Sequence, residues 1–212
     1  MPTDSTRMNP TEQHMPRLIL VSGGIGSGKS VVCRILRALG HEVYDSDAEA
    51  RRIMDNSPAI MEAIASEICH EAICRENGCS SIHRPTLAKA VFSDKEKLNK
   101  LNALVHGEVK ADIMRRRDML AEKGRCDRPL FVETAIPHSS GLDRMADEIW
   151  LVEAPEELRI ERAMKRDNAS RAAIEARIRT QTATESHLCN PSVHSIINTP
   201  DSPLLPQILA LL

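Results

Sequence analysis

The sequence predicts an α/β protein: a three-layer αβα core around an open parallel sheet of about five strands, carrying a helical substrate subdomain and a helical lid. Three observations predict it. An apolar run leads directly into a glycine-rich stretch, "LILVSGGIGSGKS" at residues 18–30. Strand-like apolar runs alternate with helix-like ones on either side of that stretch. Between two of those strands stand residues 55–123, whose apolar spacing is helical.

Each element has its own signal. Arg17 to Ser22 reads as a buried strand, and Lys29 to Leu39 as a helix closed by Gly40 in the left-handed C-terminal position. "HEVYDSD", residues 41–47, is a second short strand ending in two carboxylates, followed by the helical "AEARRIM". This is a βαβ beginning. In the helical block, the turn-rich "CRENGCSSIHRP" breaks the periodicity, and Ser93 with Glu96 has the spacing of a capping box for a long helix through Leu101, Leu104 and Val105. "MRRRD", at 114–118, is most simply a solvated helix surface. "PLFVET" (129–134) and "EIWLVEAP" (148–155) are two further strands; Arg159 to Thr184 is charged and helical, "HSIIN" a last strand and "LLPQILALL" a closing helix. The expected organisation is a disordered extension over 1–15, with Met15 an alternative start, a core formed by 16–54, 124–156 and 190–212, a substrate-covering subdomain at 55–123, and a lid at 157–189.

Composition narrows the function. With 212 residues, 42% hydrophobic and 27% charged, the chain can bury a real core. A net charge of −2 gives no general attraction to nucleic acid or membrane, so an anion site must rest on local positive charge. No apolar stretch has the length of a membrane span and no signal core opens the chain, so the expected location is cytoplasmic. Six cysteines outside a secretory context are expected as free thiols. Cys69, Cys74 and Cys79 with His70 and His83 invite a zinc reading, but their five-residue spacing fits no standard ligand pattern.

Gly23 to Ser30 matches G-x-x-x-x-G-K-[ST], the P-loop. Glycines let the backbone bend so that its N–H groups face phosphate, Lys29 brings charge to the β and γ groups, and Ser30 is placed to bind Mg²⁺. "NKLN", at 99–102, lacks the aspartate of a guanine-binding N-K-x-D, which sets a GTPase aside. Asp45 and Asp47 flank Ser46 at the second strand's end, where Asp47 can take a proton from an acceptor hydroxyl. The alternative is local: Ser46 with Glu49 forms a capping box and Asp47 is a first-turn acid favouring the helix dipole. Glu133 ends "PLFVE" as a Walker B acid would, holding Mg²⁺ through water, or else caps the next turn. Arg159, Arg162 and Arg166, at i, i+3 and i+7, share a helix face that suits a lid closing on a triphosphate; a solvated face paired with Glu161 is the plainer alternative. A lone His106 on an apolar helical face is more often packed than catalytic.

Four stretches together resemble the dephospho-CoA kinase family: "GGIGSGKS", "GHEVYDSDAEAR", "RPTLAKAVFSDKEKLNKLNALVH" and "APEELRIERAMKRDNASRAAIEARIRTQ". With matching order and spacing, the resemblance covers nearly everything from Leu18 to Asn198. The resemblance implies a P-loop kinase in which ATP and Mg²⁺ phosphorylate the ribose 3′-hydroxyl of dephospho-CoA, with residues 55–123 binding that acceptor. Carried over by position, it implies that Gly24, Ile25, Gly26, Ser27, Gly28, Lys29, Ser30 and Val31 bind ATP, that Asp47 is the base, that Arg84 and His106 belong to the substrate domain, and that Arg162 and Arg166 are lid arginines. A P-loop kinase for another nucleoside or nucleotide, or a non-catalytic nucleotide binder, is the alternative. The chain also departs from the family pattern. Pro137-His138-Ser139 stands where many relatives carry a glutamate, which leaves an acidic group missing near the site. Gly107 replaces a proline after His106, Val31 a threonine, Ser192-Val193 an Ala-Asp, and Thr199-Pro200 an Asp-Gly.

Overall fold

The computed structural model describes residues 15–76, 79–185 and 187–212. The expected N-terminal extension, apart from Met15, lies outside the described residues. Five parallel strands, β1 (Leu18–Ser22), β2 (Glu42–Asp45), β5 (Leu130–Glu133), β6 (Glu148–Glu153) and β7 (Val193–Ile197), form one sheet in the order β2-β5-β1-β6-β7. The strands flanking β1 run on from opposite directions of the winding, so β1 sits at the switch point, and its C-terminal end faces the crevice where such sheets bind ligands.

Alternation along β1 divides the core. Ile19 and Val21 join Phe131, Trp150 and Val152 on the face covered by α1 (Lys29–Ala38) and, at the other end of the chain, α8 (Leu204–Leu211). Leu18 and Leu20 join Leu130, Val132 and Ile149 on the opposite face. That face is covered by α2 (Ser46–Asn56), α3 (Pro58–Ala63), α4 (Arg84–Phe92) and the long α5 (Lys95–Glu122). A strand buried on both faces is apolar without interruption, which is why "LILVS" reads so clearly. A separate small cluster, Ile160, Ala163, Ile174 and Ile178, holds α6 (Glu156–Asp167) against α7 (Arg171–Glu185), with Ile25 of the P-loop packed on it. The single charged helical run from 159 to 184 is thus two helices, turned at Asn168 with φ 48°.

Gly40 closes α1 as the sequence predicts: its N–H bonds Arg37 O at 3.0 Å and the His41 N–H bonds Leu36 O at 3.0 Å, with φ 86° at the glycine. Both capping boxes are displaced by one residue. Asp45, not Ser46, caps α2, accepting from the N–H groups of Asp47 (3.1 Å) and Ala48 (3.0 Å). Asp94, not Ser93, caps α5, accepting from Glu96 (2.9 Å) and Lys97 (3.2 Å), because the Ser93 hydroxyl donates back to Lys89 O and Ala90 O at the end of α4. A carboxylate is the stronger acceptor for two amides, and the serine is already committed to the preceding helix.

The turn-rich interruption is more ordered than its composition suggests. After a π turn at Ile64–Ile68, β3 (Ile73–Glu76) and β4 (Cys79–Ile82) pair as an antiparallel hairpin. Nor is "MRRRD" simply solvated. Arg116 lies over the Tyr44 ring at 5.0 Å and bonds Glu49 at 2.9 Å, while Arg117 donates to Pro16 O at 2.6 Å and Asp147 at 2.8 Å. These guanidiniums tie α5 to the sheet. Among the described residues, no helix is long and apolar enough to cross a membrane.

Candidate active site

The P-loop turns back on itself between β1 and α1. Gly23, Gly26 and Gly28 take φ of 145°, 76° and 100°, conformations in which an L side chain is strained. Space forbids a side chain as well. A Cβ on Gly26 would lie 2.1 Å from Arg159 O, and one on Gly28 2.0 Å from Asn198 Nδ2. Lys29 Nζ folds over the loop, donating to Gly23 O at 2.7 Å and Gly24 O at 3.3 Å. Burial brings its pKa down from 10.5 to about 8, against the opposing pull of Glu133 and Asp47; Arg159 and Arg166 push it down further. Two carboxylates and two guanidiniums therefore surround one ammonium.

Gly26→Ala is expected to lower stability by about 1–3 kcal/mol, because the new Cβ meets the backbone of α6 and can be relieved only by moving that helix. Gly107→Ala is the matched control. Nothing lies within 4 Å of its added Cβ in α5, so it should be neutral or stabilise by up to ~1 kcal/mol. Thermal unfolding of the two variants reads the difference directly.

The carboxylates come from adjacent strand ends. Asp45 and Glu133 are in register across β2 and β5, and Val21, one residue before the end of β1, is in register with Glu133. Burial raises the Glu133 pKa, as does the Asp45 charge, while the Cys33 thiol, Arg37 and Lys29 oppose this. Burial pushes the Cys33 thiol up as well, so it stays a neutral donor. With Asp45 serving as the cap, Asp47 is free to face outward from the first turn of α2. It shares a cavity of about 80 Å³ with His106 of α5, Ser46, Thr134 and Ser140. Burial, with Lys110 one turn away, lowers the pKa of His106, partly offset by Glu185, so the imidazole is neutral at pH 7. Arg84 does not line this cavity: it opens α4, and its Nη2 donates to both oxygens of Asp55, at 2.8 and 2.9 Å.

A larger cavity, about 230 Å³, lies on the other side of the loop that follows β5. Thr134 and Ile136 face the Asp47 cavity, whereas Ala135 and Pro137 face this one, together with Gly23, Gly24, Arg159 and Gln181. Arg159 Nε donates to Ile25 O at 3.0 Å. Arg162 Nη1 donates to Asn198 O at 3.2 Å, and Arg166 pairs with Asp167 at 2.6 Å. Of the three arginines of the stripe, Arg159 is thus the one in direct contact with the loop.

Several site residues escape sequence reasoning. Gln181 accepts from the Ile25 N–H at 2.8 Å and donates to Ala135 O at 2.9 Å, stitching α7 to the P-loop and to the loop after β5. Asn198 Nδ2 donates to Ser27 O at 2.6 Å, which explains why that asparagine stays although its two neighbours depart from the family pattern. The acid thought missing at Pro137-His138-Ser139 has a counterpart from α7: the Glu185 carboxylate accepts from the His138 N–H at 2.8 Å and from the Ser139 hydroxyl. Gln181 closes the last of the four quoted stretches, which is its only sequence signal. Glu185 has none, since its partner loop lies 46 residues away. The Gly107 departure is absorbed inside an unbroken α5.

An enzyme that only hydrolyses a nucleotide needs room for water beside the phosphate loop, but here Asp47 fronts a second, separately walled cavity. A phosphate loop with a second cavity beside it is what a P-loop kinase requires, since it passes a phosphoryl group to a bound acceptor. The family is narrower still. A model of the dephospho-CoA kinase family matches residues 17–198, and the chain belongs to that family. A dephospho-CoA kinase from Porphyromonas gingivalis is 38% identical over 193 residues, covering 91% of each chain. A solved structure from Thermus thermophilus superposes with a TM-score of 0.69 at 34% identity, covering 93% of this chain and 98% of the other. The dephospho-CoA kinase from Campylobacter jejuni, 24% identical, shares the fold with a TM-score of 0.64 over 93% of this chain and 96% of its own.

Proposed function

We infer that the protein transfers the γ-phosphoryl group of ATP to the ribose 3′-hydroxyl of dephospho-CoA, giving coenzyme A. The observation that carries this reading is the position of Asp47, whose charge is felt by Lys29 on one side and whose side chain lines the His106 cavity on the other. Lys29 and the amides of Gly24 to Val31 hold the phosphates; Asp47 takes the proton of the 3′-hydroxyl; Arg162 and Arg166, with Arg159, meet the charge that spreads over the moving phosphoryl group. Arg162 and Arg166 first leave Asn198 O and Asp167. Residues 55–123 cover the acceptor, with Arg84 and His106 in contact with it, and 157–189 act as the lid. At about 80 Å³ the Asp47 cavity holds two or three waters and no nucleoside, so acceptor binding has to part α5 from the loop after β5.

Ser30 and Glu133 offer only hard oxygen donors, a set that suits Mg²⁺ with water completing its shell. Ser30 and Glu133 would hold such an ion, and when bound it would supply positive charge against the phosphates of ATP. The reading includes a cytoplasmic location and two small-molecule partners, ATP and dephospho-CoA, with no nucleic acid and no membrane. It is tested by ADP release with ATP, Mg²⁺ and either dephospho-CoA or a panel of nucleosides and nucleotides. Release stimulated by dephospho-CoA alone is the expected result. Stimulation by another acceptor would transfer the assignment to a different kinase, and ATP binding with no stimulating acceptor would make the protein a nucleotide binder.

A further inference from the structure

Behind the larger cavity, three potential metal-binding side chains meet. His138 and Asp143 belong to the loop between β5 and β6, and Cys189 to the chain leaving α7; their donor atoms all lie within 4.8 Å of one another. His138 Nδ1 is 3.1 Å from Asp143 Oδ2 and 3.8 Å from Cys189 Sγ. The Cys189 N–H donates to the same Asp143 Oδ2 at 3.0 Å. Asp143 is 0% exposed, yet its Oδ1 has no hydrogen-bond partner among the described residues. A fully buried carboxylate oxygen without a donor is costly, so Asp143 keeps acceptor capacity beyond its two contacts at Oδ2.

Two chemistries could use such a trio. In a thiol-activating relay, the acid would orient one ring nitrogen and the thiol would face the other. Here both face Nδ1, so the imidazole cannot pass a proton between them. Convergence on one point is what a cation requires. Thiolate and carboxylate together carry two negative charges, matching a divalent ion; the Cys189 thiol releases its proton to water on binding, and the neutral imidazole keeps its proton on Nε2, leaving Nδ1 as the third ligand. Sulfur and imidazole favour zinc-like ions over Mg²⁺. Bonds of roughly 2.0–2.3 Å in a tetrahedron place ligand atoms about 3.3–3.8 Å apart, so His138 and Asp143 would open by a few tenths of an ångström and no pair would have to close by more than about 1 Å.

We propose that His138, Asp143 and Cys189 form a binding site for a divalent transition-metal ion of the zinc class, with water as the fourth ligand on the exposed Cys189 side. The frame around them is already fixed. Asn190 Nδ2 donates to Asp143 O at 3.1 Å and Ala146 O at 2.6 Å, and the Asp143 N–H bonds Pro137 O at 3.1 Å. Occupancy would fasten the loop after β5 to the end of α7. Those two segments supply Pro137 on one side of the larger cavity and Gln181, Glu185 and Leu188 on the other.

The test uses the full chain without a polyhistidine tag, reduced, stripped by chelator and titrated with Co²⁺ alone. One Co²⁺ per chain is expected, with thiolate-to-cobalt charge-transfer absorption and tetrahedral ligand-field bands that Zn²⁺ abolishes. Cys189→Ser, at an exposed position, should remove the charge-transfer band and weaken binding by more than about 10-fold. Cys69→Ser should leave both unchanged, and Asp143→Asn should weaken binding if it folds. A wild-type chain without the thiolate band, or a band that persists in Cys189→Ser, overturns the site.

Discussion

Asp47→Asn should lower kcat by about 10²-fold or more while leaving ATP affinity within a few-fold of the parent. The asparagine keeps the size and the place in the first turn of α2 but cannot accept a proton. ATP binding rests on loop amides and Lys29, which the substitution does not touch. A second signature follows from the electrostatics: Asp47 supports the charge on Lys29, so its removal should move the alkaline loss of kcat/KM to lower pH. If Asp47 only favours the helix dipole, the variant loses roughly 0.3–1 kcal/mol of stability and keeps its kcat. Steady-state kinetics across pH, alongside ATP binding, separate the two outcomes.

Lys29→Met is expected to abolish measurable turnover and at the same time make the ligand-free protein more stable. The pKa of Lys29 falls from 10.5 to about 8 on folding, a difference of about 2.5 units, so the buried charge costs ~3 kcal/mol at neutral pH. The sign is fixed by proton counting. Below pH 8 both states are protonated and the folded state bears the whole cost; between about 8 and 10.5 the unfolded state binds more protons, so wild-type stability rises with pH. Methionine removes the cost but leaves Gly23 O and Gly24 O without their donor, which offsets about 1 kcal/mol or slightly more. A net gain of about 1–2 kcal/mol, several degrees in Tm, is expected at pH 7, shrinking toward pH 10. A loss of stability at pH 7 would show that the lysine is not held at a cost. In the wild type, kcat/KM for ATP should fall about tenfold per unit above pH 8 as the free enzyme loses this proton, while kcat changes less because bound phosphates hold the charge on.

Local chemistry made much of this protein readable from its residues. The P-loop is legible because it depends on backbone geometry that Gly23, Gly26 and Gly28 adopt without strain, and β1 before it because a strand buried on both faces reads as an apolar run, here Leu18 to Val21. The close of α1 at Gly40 and the five core strands were legible for the same reason: each depends on neighbours a few residues away. Where two local acceptors competed, as at Ser46 beside Asp45 and at Ser93 beside Asp94, spacing could not choose between them. At Ser93 the outcome turned on a hydroxyl already engaged by the preceding helix, and at Ser46 on the stronger carboxylate acceptor beside it.

Only the tertiary structure decided the rest. Gln181, Asn198 and Glu185 gain their roles from partners 46 to 171 residues away, and their own neighbourhoods do not show which partners those are. Arg116 and Arg117 read as surface charge until Tyr44, Glu49, Pro16 and Asp147 come up against them. His138, Asp143 and Cys189 converge because the loop after β5 meets the chain leaving α7, a contact set by how α7 docks on the P-loop. The sequence by itself determined where the glycine-rich loop turns and in what order strands and helices follow, since those depend on backbone freedom and apolar periodicity. Folding decided which side chains face one another, since hydrogen bonds and charges act over a few ångströms of space whatever their separation along the chain.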